Sequence, residues 1–226
     1  MNSVYPATRP TRGLALPWRR WLQQLAAPPT RSPDFRRLLG VNAWQRLPAA
    51  VQARFAHEGA ASQVVVYRGR MSVRASFFGR CLAHLCRLIG TPVAPHVDED
   101  VPVTVRVFDR PDGSGTVWER RYDFPGHASV TVSSTKQMED DGTLFEAIGA
   151  GLRMRLRVFE RDGALHFLST GYFFQIGRLR IALPSWMPPG ATHVIHEDLG
   201  GGAFRFTMRT TQPPQGVMYW QSGIFT

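Results

Sequence analysis

The sequence predicts a mainly β (α+β) fold, a large antiparallel meander curled into a barrel or strongly bent sheet, with two or three helices in the N-terminal half. Apolar and polar residues alternate with period two along many segments, as at 101–110, which is typical of strands. The pairs Asp112-Gly113, Asp141-Gly142 and Asp162-Gly163 each lie between two such segments and indicate tight hairpin turns. A sheet of so many strands is expected to curl.

A change of composition near residue 33 predicts the domain organisation. Residues 1–33 contain six prolines, and arginine is their only charged residue type. We therefore expect an Arg/Pro-rich tail at 1–33 and a single β-rich domain at 34–226. Tryptophans and leucines at helical spacing predict a short amphipathic segment at 14–25. This segment is expected to pack on the domain, and the alternative is a weak contact with a membrane surface. Its prolines and arginines argue against a secretory signal.

Two helical regions and nine strands are predicted along the domain. Apolar stripes favour helices at 33–57, with breaks near Gly40 and Pro48, and at 77–89, ended by Gly90 and Pro92. Alternation and turn signals predict strands at 63–75, 101–110, 115–124, 127–138, 144–160, 164–183, 192–198, 203–212 and 216–225.

The bulk composition is that of a chain with a packed core, because 43% of its residues are hydrophobic. No stretch of the sequence reaches the ~20 apolar residues that span a bilayer. Cys81 and Cys86 lie five positions apart in one predicted helix, a spacing that suits neither a disulfide nor a common zinc pattern. We expect them to be reduced core thiols, which favours a cytoplasmic setting.

The formal net charge is +10, and a single lysine, Lys136, accompanies 26 arginines. Arginines recur on one face of several predicted strands, as at positions 153, 155 and 157. A solvated outer face explains this pattern, and the alternative is a track for phosphates in a module that binds nucleic acid or an acidic partner. Aromatic residues for base stacking are not interleaved on those faces, which argues against nucleic acid.

The phase of residues along three predicted strands indicates a candidate site. Glu146 and Lys136 each fall on the apolar face of their own strand, and Arg120 shares a face with Trp118 and Tyr122. If the three strands are neighbours, the three charges converge, and buried charges must pair or line a wet cavity. The interpretations are a buried Arg120–Glu146 pair without chemistry, a polar anchor in a ligand pocket, and a catalytic Glu146 with a pKa tuned by burial.

Residues 165–176 and 217–225 are apolar on both faces, so both faces must be covered. Helices from the first half of the chain are one source of cover. The alternative is a lipid-like ligand in a pocket, whose apolar wall would include Phe167, Phe174, Tyr219 and Trp220.

Familiar catalytic and metal-binding signatures are missing from the sequence. We find no nucleophile elbow, phosphate loop, dinucleotide fingerprint or Cys-x-x-Cys pair. His193 and His196 are the best metal candidates, but positions i and i+3 of a strand point to opposite faces. The sequence therefore predicts no metal site and no cofactor.

A series of short motifs nevertheless resembles a known bacterial family, domain of unknown function 4166, over about residues 34–226. In chain order the motifs are Leu39-Gly40 to Leu47-Pro48, Tyr67-Arg68-Gly69, Val101-Pro102-Val103, Trp118-Glu119-Arg120-Arg121, Phe145-Glu146 with Gly149, Leu183-Pro184, His196-Glu197, Phe204-Arg205-Phe206, and Tyr219-Trp220 with Gly223.

The resemblance implies an accessory role in small-molecule metabolism. Members of the family stand alone or are fused to nucleotide-sugar epimerase-like or reductase-like domains, so a partner of that kind in the same pathway is implied. The family's Trp-x-Arg and Glu positions correspond to Trp118, Arg120 and Glu146, and Glu197 is the other position carried over.

The leading functional hypothesis is a domain that binds a hydrophobic or amphipathic small molecule, acyl or polyketide-like, in a barrel cavity. Arg120 or Lys136 would engage a carboxylate or carbonyl. One alternative is an isomerase- or cyclase-type enzyme with Glu146 as general acid or base, and another is the arginine-rich module. The expected ligand-binding residues are Trp118, Arg120, Tyr122, Lys136, Glu146, Phe167, Phe174, Glu197, Tyr219 and Trp220.

Overall fold

The computed structural model describes residues 27–56, 63–86, 93–184, 187 and 190–226. The described helices are α1 (Phe35–Leu39), α2 (Val41–Arg46), α3 (Ala49–Phe55) and α4 (Phe77–Cys86). The described strands are β1 (Val65–Ala75), β2 (Asp98–Asp109), β3 (Thr116–Tyr122), β4 (Val130–Met138), β5 (Leu144–Gly149), β6 (Leu152–Arg161), β7 (Ala164–Ile176), β8 (Leu179–Ala182), β9 (Ala191–Gly200), β10 (Ala203–Gln212) and β11 (Gly216–Phe225). The segment predicted at 14–25 and the helix end predicted at Gly90 and Pro92 lie outside the described residues.

Ten strands close into an antiparallel barrel, which confirms the predicted fold class. The neighbour order is β6-β5-β4-β3-β2-β1-β11-β10-β9-β7, and the additional pairing of β6 with β7 completes the circle. The remaining strand, β8, pairs with the end of β7 outside that circle. In a closed barrel, inward and outward side chains alternate along every strand, so the period-two pattern of the sequence decides what lies inside.

The fifth and sixth predicted strands are each broken into a hairpin. The first break falls at residues 149–151, where every φ angle is positive, and the second at Gly177, where φ is 58°. Positive φ is the region that glycine enters without steric cost, and glycines occupy most of these positions. The first turn keeps Glu146 opposite Met154, so even-numbered residues of both β5 and β6 share the inner face.

One end of the barrel, here called the floor, is closed by α1, α2 and α3. The ring of Phe55, at the end of α3, stacks on Trp118 of β3 at 5.9 Å between centroids and meets Phe35 edge-on at 5.3 Å. Arg46 of α2 forms an ion pair with Glu160 of β6 at 2.6 Å. The apolar stripe predicted for 33–57 therefore supplies the plug, and its predicted breaks at Gly40 and Pro48 become the boundaries between the three helices.

The opposite end of the barrel is covered by α4, which packs on β11. A Cβ on Gly79 would collide with the main-chain oxygen of Met218, so a glycine allows this close approach. Gly79 and Ala83 lie on the buried side of the helix, whereas Cys81 lies on its exposed side with a free thiol. The expectation that Cys81 is a core thiol was wrong, because the helix turns that position away from the sheet.

The chain immediately before α1 also contacts the barrel. The backbone of Arg31 exchanges two hydrogen bonds of 2.9 Å with Met138 at the end of β4, and the hydroxyl of Thr30 donates to the carbonyl of Ser114 at 2.8 Å. These contacts attach residues 30–32 to the floor end. None of the described helices is long and apolar enough to cross a membrane.

The plug makes a testable contribution to stability. Replacing the buried Phe55 by alanine is expected to lower the free energy of unfolding by about 3–5 kcal/mol, because it removes an aromatic ring and leaves a cavity. Val41→Ala is the matched control, since that side chain on α2 is 58% exposed, and a change within about 0.5 kcal/mol is expected. Urea denaturation measures the change in the free energy of unfolding for both variants, and equal changes would contradict a stabilising role of Phe55 in the plug.

Candidate functional site

Between the floor and α4 lies a cavity of about 110 Å³ inside the barrel. Its apolar wall comes from Leu82, Ile148, Met154, Val194, Met208 and Met218. Arg120, Ser134, Lys136 and Glu146 form a charged patch on strands β3, β4 and β5. Tyr172, Thr192 and Thr210 contribute hydroxyl groups from β7, β9 and β10. The cavity therefore combines a mostly apolar interior with two polar groups of residues.

The strand register brings the charged patch together. Lys136 of β4 and Glu146 of β5 are direct cross-strand partners, and their side chains form an ion pair with 3.3 Å between Nζ and Oε2. The hydroxyl of Ser134, two residues earlier on the same face, donates a hydrogen bond to the other carboxylate oxygen, Oε1. Both oxygens of Glu146 are thus engaged, which is what a buried carboxylate requires.

The three charged side chains are almost inaccessible, with residue exposures of 4% for Lys136, 8% for Glu146 and 9% for Arg120. Burial alone would raise the pKa of the Glu146 carboxyl, but the charges of Lys136 and Arg120 and the Ser134 hydrogen bond hold that pKa below its ordinary value. Burial lowers the pKa of the Lys136 amine; the carboxylate of Glu146 opposes this effect and the charge of Arg120 adds to it. The carboxylate is therefore ionised at neutral pH, and the ammonium gives up its proton more easily than an exposed lysine.

Arg120 brings a positive charge that the patch does not balance. Its guanidinium forms neither a hydrogen bond nor an ion pair with any residue that the structure describes, and its aromatic contact is with the Phe206 ring at 5.7 Å. With Lys136 paired to Glu146, one cation in the cavity is left without a neutralising partner among the described side chains. An isolated buried charge is unfavourable, so this group favours an anion or a carbonyl oxygen.

A row of hydroxyl groups forms the second polar feature. Tyr172 Oη lies 3.0 Å from Thr192 Oγ1, which lies 3.1 Å from Thr210 Oγ1. The backbone N–H of Thr192 donates to Ser169 Oγ at 2.8 Å. Because each hydroxyl can donate or accept, the row can adjust its hydrogen bonds to whatever polar group reaches it.

Four of the sequence-predicted site residues line the cavity, namely Arg120, Lys136, Glu146 and Tyr219. Two more lie against the lysine, since Nζ of Lys136 is 5.1 Å from the ring centroid of Trp118 and 5.4 Å from that of Phe167. The structure thus places six of these residues on the cavity wall or against the lysine that lines it.

Tyr122, Phe174, Glu197 and Trp220 are placed elsewhere. Tyr122 is buried but outside the cavity lining, and donates to Gln221 Oε1 at 3.0 Å. Phe174 is half-buried beside Gly151 at the α4 end, also outside the lining. Glu197 forms an ion pair with Arg205 on the outer face. Trp220 faces outward under the guanidinium of Arg74.

Sequence reasoning missed Ser134, Thr192, Thr210 and Tyr172 as wall residues. The signal for Ser134 was present, because it shares a phase with Lys136. Tyr172 follows an irregularity in the pairing of β6 with β7, which moves the inward face of β7 from odd positions such as Phe167 to even ones, so alternation could not identify it. The two threonines alternate with apolar residues on β9 and β10, where threonine is common on either face. Only the register, which sets Thr192 beside Thr210, distinguishes them as inward positions.

The two histidines considered as metal ligands point to opposite sides of the barrel wall. His196 is 2% exposed and packed among aromatic rings near the floor. Burial and the nearby cations hold its pKa well below the ordinary value, so the ring is neutral. Nε2 of His193 lies 3.0 Å from Nδ1 of His166 instead. The described residues contain no group of three or more side chains that could hold a metal ion.

Comparison with known proteins supports one relationship. A family model described as "Domain of unknown function (DUF4166)" matches residues 47–225, which is most of the chain. No curated protein matches the chain.

The burial of the Lys136–Glu146 pair predicts strong coupling. Lys136→Met is expected to lower the free energy of unfolding by about 3–5 kcal/mol, because Glu146 would be left charged and buried. The double variant with Glu146→Gln should lose less than the sum of the single losses, with a coupling of about 0.5–3 kcal/mol. Arg205→Met with Glu197→Gln is the control, an exposed pair whose coupling is about 0–1 kcal/mol. Urea denaturation measures both coupling energies, and equal values for the two pairs would contradict a strongly coupled buried pair of Lys136 and Glu146.

His196 predicts a loss of stability in mild acid. Because its pKa is lower in the folded than in the unfolded chain, the unfolded chain takes up a proton first as the pH falls below about 6.5, and stability present above that pH declines. One such proton contributes up to about 1.4 kcal/mol per pH unit. Urea denaturation between pH 7.5 and 5 should show that the free energy of unfolding falls less steeply for His196→Phe than for the unaltered chain. A residual slope is expected from His166 and His193, whose pKa values are also lowered. Identical slopes would contradict this role.

Proposed function

The chain belongs to the domain of unknown function 4166 family, and we propose that its barrel binds a small amphipathic molecule, with an anionic or carbonyl oxygen directed at Arg120 and Lys136. The observation that carries this proposal is the guanidinium of Arg120, which lines the cavity without a hydrogen-bond partner among the described residues. A ligand carboxylate would supply the missing acceptor and the missing negative charge together.

The rest of the cavity wall favours an apolar ligand body. Three of the lining residues are methionines, at positions 154, 208 and 218, and the unbranched thioether adapts to ligands of different shape. Apolar cavities of about 150 Å³ accept a benzene ring, so a cavity of about 110 Å³ suits a short acyl chain, and a single ring would fit only with a shift of the methionine side chains. A larger polyketide-like ligand would require α4 to move away from the cavity.

Catalysis by Glu146 is the second candidate function. The carboxylate lies on the cavity wall, and its lowered pKa keeps it ionised, so it would act first as a base and not as an acid. Proton abstraction next to a ligand carbonyl, the first step of an isomerase or cyclase, is a reaction of this kind. The binding proposal requires less of the site, since it needs only the charge and the cavity.

The outer arginines give less support to a module for nucleic acid. Arg70, Arg74, Arg106 and Arg205 each form an ion pair with an aspartate or glutamate on the same surface. Carboxylates within a basic stripe repel phosphates and reduce its net charge. The interior site is therefore the better-supported place for a ligand.

The role of Arg120 is tested by comparing a carboxylate with its neutral counterpart. Benzoate is expected to bind the unaltered protein more tightly than benzyl alcohol does, and Arg120→Met should remove that preference. A charge-assisted hydrogen bond contributes about 1.5–3 kcal/mol, so the preference should be about tenfold or more. Isothermal titration calorimetry measures both ligands, with Arg155→Met on the outer wall as the control. Equal binding of both ligands to the unaltered protein would refute the proposal.

A further inference from the structure

Lys136 is the only lysine in a chain with 26 arginines, and it lies on the wall of the interior cavity. We propose that its Nζ forms a Schiff base with an aldehyde or ketone ligand. This inference rests on the proposed function, since it names the ligand class and the bond that would hold the ligand in the same cavity.

Pairing with Glu146 does not by itself account for a lysine at this position. Arginine satisfies a carboxylate through two parallel hydrogen bonds and is the better partner for a buried ion pair. The chain uses arginine in its other basic ion pairs described here and for the neighbouring cation, Arg120. What an ammonium offers and a guanidinium does not is a proton that can leave to give a nucleophilic amine.

The geometry restricts the approach to the amine. The Lys136 side chain is 6% exposed, and the rings of Trp118 and Phe167 lie about as far from Nζ as cation–π contacts allow. The remaining access is through the cavity, so a carbonyl compound must enter the barrel to react. Exclusion of bulk water also protects an imine from hydrolysis.

The electrostatic environment favours the amine. Burial and the charge of Arg120 lower the pKa of Lys136, which increases the fraction of unprotonated amine at neutral pH. Oε2 of Glu146, 3.3 Å from Nζ, is within reach to accept the departing proton. The same carboxylate would then face the positively charged iminium, so the ion pair is preserved after the reaction.

The atoms balance in a condensation that needs no other reactant. Once the ammonium has given a proton to Glu146, the lone pair of Nζ attacks the carbonyl carbon. A second proton then passes from the nitrogen to the carbonyl oxygen to give a neutral carbinolamine. The C–O bond then breaks as Glu146 returns a proton to the leaving hydroxyl, which departs as water. The product is an iminium ion that carries the ligand beside the ionised Glu146, with one water released for each carbonyl consumed.

Reductive trapping with benzaldehyde and sodium cyanoborohydride tests the inference. The protein for the test is the Arg155→Lys variant, because position 155 is exposed on the outer wall and supplies an ordinary lysine within the same folded molecule. Peptide mapping by mass spectrometry then compares benzylation of the two lysines in one sample. At pH 7 the adduct at Lys136 should form faster, by about tenfold for each unit by which its pKa lies lower.

Two controls distinguish the effect of the folded cavity from the intrinsic reactivity of a lysine side chain. In urea the chain is unfolded and the two lysines should react at equal rates. In the folded chain Arg120→Met should slow the reaction of Lys136, because the charge of Arg120 lowers the pKa of that amine, without changing the reaction at position 155. Faster trapping of Lys136 only in the folded chain supports the Schiff base. Trapping of Lys136 no faster than at position 155 overturns it.

Benzoate binding in the same preparation separates this inference from the proposed function. If benzoate binds but Lys136 is not trapped, the Schiff base is refuted and the binding cavity stands. If neither benzoate binding nor trapping occurs, both are refuted. Trapping of Lys136 without a preference for benzoate over benzyl alcohol would support the Schiff base and refute the role of Arg120.

Discussion

The charge balance among three buried side chains is the constraint on which the site depends. Glu146 lies between a lysine that it pairs with and a serine that donates to it, while Arg120 adds a positive charge that these contacts leave unneutralised. Removing charges from water is unfavourable unless partners compensate. These contacts therefore stabilise the carboxylate of Glu146, and the remaining positive charge of Arg120 favours a second anionic group in the cavity.

The barrel isolates this group of charges by closing its two ends in different ways. The floor is filled by aromatic rings from α1, α3 and the strands, so the interior is packed solid there. The other end is covered by α4, whose close approach to β11 depends on a glycine. Between these closures the dielectric is low, which strengthens every electrostatic interaction in the cavity.

The part of the site that the sequence predicted is the part that depends on alternation alone. Arg120, Lys136 and Glu146 were placed on one face by period two, and the register of β3, β4 and β5 places them there. Trp220 failed the same reasoning because its strand is apolar on both faces, so the sequence could not tell which face is inside. Glu197 was expected at the site because of a family resemblance, and a resemblance does not tell which face of a strand a side chain lies on. It lies on the outer wall.

By itself, the sequence determined the fold class, the hairpin turns and the helical plug, because alternation, Asp-Gly pairs and apolar stripes are local consequences of backbone geometry. Which cation pairs with Glu146 was decided only by the tertiary structure. An Arg120–Glu146 pair was one expectation, yet the direct cross-strand partner of Glu146 is Lys136. Register and barrel closure join residues distant along the chain, so no local pattern carries that information.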